Sequence, residues 1–297
     1  MIVVRPRRRV PRGAIVFLNA ATRKGLAEEG VERLMALFGR AGFVAVAPEL
    51  PGLADGEVTP ATLEAAVIVA LETADRCGGR VALAGASTGA GLAVLAAADR
   101  RLADRVSVVA AVAPFSDLRA VVRRATVERG EAPALLVDAV PRSLRALGSG
   151  DAVERVLANR DPAAFEALWA ALPHEVLDSV EALAPVHRAG HVKAQLLLAA
   201  APDDAFFPIE HQLALACACP RARLTLTRAL EHVTPRRSLR VVSLLLFLVR
   251  FLRLAAQRER PGRFVLAASL GARAPYWGAA FGGPLPALIV RVAKQCA

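Results

Sequence analysis

The stretch VALAGASTGAGLAVLAAADR, residues 81–100, joins an apolar run to a segment of small residues through a serine between glycines. The first five residues predict a buried strand, and the residues after Ser87 predict a helix. A tight strand-to-helix turn strains its central residue and needs small neighbours, which Gly85, Ala86 and Gly89 supply. Ser87 would then stand at a helix N-terminus, whose free N–H groups stabilise negative charge. A glycine-rich turn with an incidental serine is the alternative.

Short apolar runs and predicted helices alternate on both sides of this turn. The other predicted strands are AIVFL (14–18), FVAVA (43–47), VSVVAAVAP (106–114), AQLLLAA (194–200) and ARLTLT (222–227). Those in the first half are almost continuously apolar, as expected when helices cover both faces of a parallel sheet. The pattern therefore predicts an α/β fold with a mostly parallel, doubly wound sheet.

The same alternation predicts how the chain is divided. Thr59 and Pro60 mark one helix start, because threonine caps helices and proline suits their first turn. Thr234 and Pro235 predict the start of a last helix that runs towards Gln257. Between VSVVAAVAP and AQLLLAA no clear strand is found. We therefore expect a core segment at 1–118, an inserted helical cap at 119–189, a second core segment at 190–256 and a C-terminal extension at 257–297.

The composition is that of a folded protein with a strong positive charge. Of the 297 residues, 55% are hydrophobic, which excludes a disordered chain, and the net charge is +11. Such a charge can attract nucleic acid or an anionic membrane. Proteins that bind single strands interleave basic and aromatic residues. That pattern is missing here, so we expect no nucleic acid partner, and an arginine-rich composition is the simpler explanation of the charge.

The most apolar segment, VVSLLLFLV at 241–249, is too short to span a bilayer, which needs about 20 apolar residues. It predicts a buried helix or, because the surrounding segment is basic, weak membrane-surface association through 236–256. The N-terminus has no apolar core, so we expect no signal peptide. The four cysteines lack zinc-site spacing and are expected as reduced thiols. We therefore expect a cytoplasmic protein that uses no metal or cofactor.

A serine hydroxyl is a poor nucleophile unless a base accepts its proton. Of the five histidines, His232 follows ARLTLT and so lies at the carboxyl edge of the sheet, the edge that Ser87 occupies. The other four fall in the cap, before a strand or within a helix: His174, His187, His191 and His211. His232 is therefore the predicted base, with a structural loop histidine as the alternative.

The base in turn needs an orienting carboxylate. APDDAFFP, residues 201–208, follows AQLLLAA and offers Asp203 and Asp204 at the same edge. An Asx turn or a helix cap would use one of these aspartates instead. Asp117, which follows VSVVAAVAP, is the alternative acid.

Together these motifs resemble the α/β-hydrolase family. In that family the order along the chain is serine, acid and histidine, and the acid lies in a stretch like G-x-x-D-x-x-x-P. APDDAFFP places Asp204 at the matching position before Pro208. FVAVAPELPG resembles the family's strand followed by APDLPG, with Glu49 in place of the usual aspartate, and APFSDL resembles its strand before the cap. The resemblance covers about 13–118 and 180–256.

The resemblance also implies an oxyanion hole built from two backbone N–H groups. The first belongs to Thr88, directly after the serine. In the family the second comes from the loop after the strand that AIVFL matches, often as H-G-x-G. Here the loop reads NAAT (19–22), so Ala21 holds the donor position without the usual glycines. The family also has further strands before AIVFL, so this chain is expected to have a shortened N-terminal edge.

The resemblance therefore implies a serine hydrolase acting on a carboxylic ester or related acyl bond of a small hydrophobic substrate. Ser87 would attack, His232 would accept its proton, and Asp204 would orient the imidazole. A thioesterase or acyltransferase with the same residues is one alternative, and a non-catalytic binding protein is another. Apolar cap residues are expected to shape the pocket, among them Leu135, Leu136, Leu147, Phe165 and Trp169.

Overall fold

A seven-stranded sheet runs through the computed structural model, which describes residues 1–7, 10–236 and 241–256. The strands are β1 (Ile2–Val4), β2 (Ala14–Leu18), β3 (Val44–Ala47), β4 (Val81–Ala86), β5 (Val106–Val112), β6 (Gln195–Ala200) and β7 (Ala222–Leu226). Their spatial order is β1-β3-β2-β4-β5-β6-β7. All neighbouring pairs are parallel except β1 with β3. The predicted α/β fold with a mostly parallel sheet is confirmed.

The N-terminal edge of the sheet is short, as predicted. Within the described residues it consists of β1, three residues that pair antiparallel with β3 through Ile2 and Ala47, Val3 and Val46, and Val4 and Ala45. The predicted C-terminal extension, 257–297, lies outside the described residues.

The helices of the described chain lie between and after the strands. They are α1 (Glu29–Arg40), α2 (Pro60–Arg76), α3 (Thr88–Ala98), α4 (Leu118–Thr126), α5 (Ala134–Leu147), α6 (Asp151–Ala158), α7 (Phe165–Ala170), α8 (His174–Ala182), α9 (Pro185–Arg188), α10 (Ile209–Ala218) and α11 (Val241–Ala255). The start of α2 follows the sequence expectation: Thr59 and Thr62 form a reciprocal capping box, and Pro60 is the first helical residue.

Helices cover both faces of the sheet, which explains why its strands are almost continuously apolar. Within β2, Val16 contributes to the cluster under α2 and α3, and its neighbour Ile15 contributes to the cluster on the other face. That second cluster contains Phe38 of α1 and Phe251 of α11, whose ring centroids lie 6.1 Å apart. Neither face of the central strands is left to water.

The segment between β5 and β6 is helical, from Leu118 of α4 to Arg188 of α9, followed by a short 3-10 turn at Ala189–His191. In its interior, Phe165 and Trp169 are buried and stack on each other with ring centroids 5.7 Å apart.

One predicted helix start is wrong. Thr234–Pro235 forms a short strand, β9, which pairs antiparallel with β8 (Leu230–Glu231). The last helix, α11, is described from Val241, and residues 237–240 lie outside the described chain. Threonine followed by proline suits a helix start, but the pairing of Leu230 with Pro235 decides the local structure here.

Candidate active site

Ser87 lies at the turn between β4 and α3, with a backbone that few residues adopt. Its φ is 52° and its ψ is −121°, and such a conformation costs about 1–3 kcal/mol at a residue with a side chain. The N–H of Ser87 donates to the carbonyl of Val112 on the neighbouring strand at 2.8 Å. The sheet therefore holds the turn in place, with Ser87 at its carboxyl edge.

Two glycines allow this turn to form. A Cβ atom on Gly85 would lie 2.3 Å from the carbonyl oxygen of Gly89, and one on Gly89 would lie 2.2 Å from the carbonyl oxygens of Leu18 and Asn19. Contacts that short are impossible without moving backbone atoms. The helix therefore approaches β2 and β4 closely only because both positions lack a side chain.

His232 lies at the tip of the β8–β9 hairpin, in a two-residue turn with Val233. Its φ is 52°, and a positive φ at the first turn residue is a position that glycine normally occupies in hairpins. Within the described chain, only Ser87, Ala113 and His232 have a positive φ without being glycine. Strained backbone of this kind concentrates at functional sites.

The structure brings Ser87, His232 and Asp204 into one hydrogen-bonded chain. The Oγ of Ser87 lies 2.8 Å from Nε2 of His232. The other ring nitrogen, Nδ1, lies 2.9 Å from Oδ2 and 3.1 Å from Oδ1 of Asp204. The Asp204 side chain is fully buried, and that of His232 is 11% exposed. With the proton on Nδ1, the imidazole can accept the serine proton at Nε2.

The loop after β6 fixes both Asp204 and the imidazole. The backbone N–H groups of Phe206 and Phe207 donate to Oδ1 of Asp204, at 2.8 and 3.1 Å. The ring of Phe206 stacks on His232 with centroids 4.3 Å apart, and Phe207 meets the imidazole edge-on at 5.5 Å. The carboxylate and the ring are therefore held in one orientation.

The two alternative acids lie elsewhere. Asp203 turns outward, with a side chain that is 59% exposed and 3.9 Å from Arg236. Asp117 caps α4 by accepting from the N–H of Arg119 at 2.9 Å. Of the aspartates considered from the sequence, only Asp204 contacts His232.

Ala21 and Thr88 line the same cavity as Ser87. Thr88 is the first residue of α3, where helical N–H groups have no partner within the helix. Among the described residues, neither the Ala21 N–H nor the Thr88 N–H has a hydrogen-bond acceptor. Two unpaired donors beside a serine hydroxyl are the groups that an oxyanion hole requires.

The candidate active-site cleft, which Ser87 and His232 line, has a volume of about 390 Å³. Its walls come from the loop at Ala20–Thr22, from Phe206 and Phe207, from the β8–β9 hairpin and from α5. Of the cap residues expected in the pocket, Leu135 and Leu136 line this cleft, and Leu147 lines a smaller neighbouring cavity. Phe165 and Trp169 line neither, because they pack against each other in the cap.

Arg124 on α4 is a residue that sequence reasoning missed. Its Nε and Nη2 both donate to the carbonyl oxygen of Ala205, at 3.0 and 2.8 Å. Ala205 lies between Asp204 and Phe206, so the cap helix braces the loop that carries the acid. No local signal distinguishes this arginine from the neighbouring Arg123, because the contact joins segments 81 residues apart.

Among the described residues, no cluster of three or more histidine, cysteine, aspartate or glutamate side chains could hold a metal ion. Cys77 and Cys219 are free thiols.

His211 is buried and has a structural environment. Its Nδ1 accepts from the backbone N–H of Ser116 at 3.1 Å and lies 2.8 Å from the Ser116 hydroxyl. Burial lowers the pKa of His211, and the positive charge of Arg124 also lowers it, whereas Asp117, Glu210 and Asp204 oppose the shift. His211 thus stays neutral in the folded protein at a pH where the unfolded chain, with a pKa of about 6.5, is protonated.

We expect His211 to destabilise the protein as the pH falls. The unfolded state binds the extra proton, so the free energy of unfolding should decrease below about pH 6.5 by at most about 1.4 kcal/mol per pH unit from this residue. Urea unfolding of the wild type and of His211→Gln between pH 7.5 and 5.5 measures the effect. The variant should show the shallower slope; identical slopes would show that His211 is protonated equally in both states.

Comparisons with known proteins identify the fold. No protein-family model matches the sequence, and no curated protein matches it. Among solved structures, a Pyrococcus horikoshii acylaminoacyl peptidase superimposes with a TM-score of 0.59 at 15% identity, over 88% of this chain but only 40% of the peptidase. Est1E from Butyrivibrio proteoclasticus gives 0.58 at 12% identity, covering 86% of this chain and 93% of its own.

A Paleococcus ferrophilus monoacylglycerol lipase gives a TM-score of 0.53 at 18% identity, over 86% of this chain and 97% of the lipase. These likenesses extend over most of the chain and agree with the order of the sheet and the mostly parallel pairing of its strands. The chain therefore has the α/β-hydrolase fold.

Proposed function

We propose that this protein is a serine hydrolase that cleaves a carboxylic ester of a small hydrophobic substrate. The observation that carries the proposal is the chain of hydrogen bonds from Ser87 through His232 to the buried Asp204. The esterase and the lipase among the compared structures share the fold. This likeness supports a hydrolase, and it does not favour one substrate over another.

In the first half of the reaction, the Oγ of Ser87 attacks the ester carbonyl while Nε2 of His232 takes its proton. Asp204 holds the imidazole in the tautomer with the proton on Nδ1 and stabilises the cation that forms. The N–H groups of Thr88 and Ala21 donate to the oxyanion. The bond from carbonyl carbon to alcohol oxygen then breaks, and His232 returns the proton to the leaving alkoxide.

In the second half, a water molecule takes the place of the alcohol. His232 accepts a proton from the water as its oxygen attacks the acyl carbon. The bond from Ser87 Oγ to the acyl carbon breaks, and the serine oxygen recovers the proton from His232. The carboxylic acid leaves and the site returns to its starting state, with no cofactor consumed.

The shape of the cleft supports an apolar ester. Leu135, Leu136 and Ala139 line one side of it, and Phe206 and Phe207 line another. Thioester hydrolysis and acyl transfer would pass through the same acyl-enzyme as ester hydrolysis. The relative rates with different leaving groups and acyl acceptors therefore distinguish the three reactions.

A fluorophosphonate probe tests the proposal directly, because it reacts with an activated serine and not with an ordinary hydroxyl. We expect one equivalent to attach, with the adduct located at Ser87 by peptide mass spectrometry. The same preparation should hydrolyse p-nitrophenyl butyrate. A folded protein that neither reacts with the probe nor hydrolyses the ester would instead be a non-catalytic binding protein.

We also propose weak association of α11 with an anionic membrane surface. Its inner face packs on the sheet through Phe247 and Phe251. Four apolar side chains on the outer face are 41–65% exposed at helical spacing: Val242, Leu245, Leu246 and Val249. Arg253 is exposed near the end of the helix, and the net charge of +11 favours anionic lipid. Within the described chain, no helix is both long and apolar enough to cross a bilayer.

Co-sedimentation with vesicles tests this association. The wild type should bind vesicles that contain phosphatidylserine, and Leu246→Glu should bind about tenfold more weakly, because it removes one buried leucine from the contact. Ile68→Glu, at a 43% exposed apolar position on α2, is the matched control and should bind like the wild type. Absence of wild-type binding contradicts the proposal, and a lipid-free dimer disrupted by Leu246→Glu would assign the face to a second copy.

A further inference from the structure

A smaller cavity adjoins the active-site cleft on the side of the cap. This side chamber has a volume of about 50 Å³. Five residues line both the chamber and the cleft: Ala21, Thr88, Leu136, Ala139 and Phe207. Ala21 and Thr88 are the proposed oxyanion donors, so the side chamber begins beside the position proposed for the substrate carbonyl.

The wall of the side chamber is apolar. Val121 and Val122 of α4 and Val140 and Leu144 of α5 line it, and of the described residues around it none is charged. The hydroxyl of Ser143 is already paired: it accepts from the N–H of Val58 at 2.9 Å and donates to the carbonyl of Gly56 at 2.7 Å. Apart from the Ala21 and Thr88 N–H groups where it meets the cleft, the chamber therefore offers contacts to a hydrocarbon group and no partner for a charged one.

The position of His232 decides which half of an ester enters the side chamber. His232 lines the main cleft, together with Glu231, Val233 and Thr234, and none of these residues lines the chamber. The histidine must deliver a proton to the leaving alcohol. The alcohol therefore occupies the cleft beside the hairpin, and the group on the opposite side of the carbonyl carbon, the acyl chain, faces the side chamber.

We infer that the side chamber binds the acyl chain and restricts it to short, uncharged groups. A water-sized group needs about 10–15 Å³ of such volume, so 50 Å³ holds roughly three to five groups of that size. Three or four carbons beyond the carbonyl correspond to butyryl or valeryl esters. This inference rests on the proposed function and specifies its substrate class.

A series of p-nitrophenyl esters from acetate to decanoate tests the inference, because the alcohol stays constant while the acyl chain lengthens. We expect kcat/KM to rise about fourfold per methylene up to butyrate or valerate, the gain expected for burying one methylene. Beyond that length the chamber is full, and octanoate should be at least about tenfold poorer than the optimum, because overpacking strains the wall.

Leu144→Ala should enlarge the side chamber and move the optimum to longer chains by about two carbons. Leu157→Ala is the matched control, since Leu157 is also a buried cap leucine but lines neither cavity. The optimal acyl chain length of Leu157→Ala should equal that of the wild type. If Leu144→Ala does not fold, Val140→Leu provides the opposite change, because a larger side chain in the chamber should move the optimum to shorter chains.

Two results separate this inference from the proposed function. Labelling of Ser87 with a flat chain-length profile, or with an optimum at octanoate or longer, would overturn the chamber inference and leave the hydrolase proposal intact. An unlabelled Ser87 without ester hydrolysis would count against the hydrolase itself, and the chain-length inference would then be wrong with it.

Discussion

Ser87→Ala is expected to lower kcat for p-nitrophenyl butyrate by about 10⁴-fold to 10⁶-fold, because the attacking oxygen is removed. The residual rate should still exceed that of the uncatalysed reaction, since Thr88 and Ala21 would still bind the oxyanion. The variant should also lose all labelling by the fluorophosphonate. Initial rates and intact-protein mass spectrometry measure the two effects on the same sample.

The folded state of Ser87→Ala should differ little from that of the wild type. Serine and alanine both carry a Cβ atom, so the strain at φ 52° is similar for the two residues. Ser107→Ala on β5 is the matched control, because Ser107 donates to Val81 and does not line the cleft. It should keep both labelling and activity. Equal labelling of Ser87→Ala and the wild type would show that another residue is the nucleophile.

The sheet could be predicted from the sequence because helices bury both of its faces. Continuous apolar runs then mark most of these strands, and the six predicted strands coincide with β2 to β7, although ARLTLT of β7 alternates apolar and polar residues. Ser87 and His232 could be assigned to the carboxyl edge for the same reason, since parallel strands all end there. The position of each residue after a predicted strand was sufficient to predict that Ser87 and His232, 145 positions apart, lie at the same edge of the sheet.

Other features of the site depend on contacts that no short stretch of sequence encodes. The hairpin that carries His232 pairs only Leu230 with Pro235 and Glu231 with Thr234, which is too little for a strand pattern. Arg124 reaches Ala205 across a long separation. The side chamber exists only where α4 and α5 meet the core, so its volume follows from packing and not from spacing.

The strained backbone links the sheet to the chemistry. Ser87 and His232 both have φ 52°, and their side chains are joined by a hydrogen bond of 2.8 Å. The close approach of α3 to β2 and β4 imposes the first strain, and the two-residue hairpin imposes the second. In both cases the surrounding fold overrides the local backbone preference and holds the side chain against a fixed neighbour.

Asp204→Asn should lower kcat by about 10⁴-fold while leaving the fold intact, through the wrong tautomer of His232. Oδ1 of Asp204 accepts from the N–H groups of Phe206 and Phe207. In asparagine the amide oxygen must take that place, so the NH₂ group faces Nδ1 of His232 at the position of Oδ2, 2.9 Å away. Nδ1 then becomes the acceptor, the ring proton moves to Nε2, and the imidazole can no longer accept from Ser87.

Asp203→Asn is the matched control for this change. Asp203 is the adjacent residue, but its side chain is 59% exposed and faces Arg236 at 3.9 Å. Asp203 contacts neither His232 nor Ser87, and an exposed ion pair contributes about 1 kcal/mol or less. Even if all of that energy affected the reaction, kcat should stay within about fivefold of the wild type. The comparison separates the loss of one carboxylate near the site from the loss of the one that orients the base. Similar activities for the two variants would mean that Asp204 does not set the tautomer, and the hydrogen-bonded chain would then be structural.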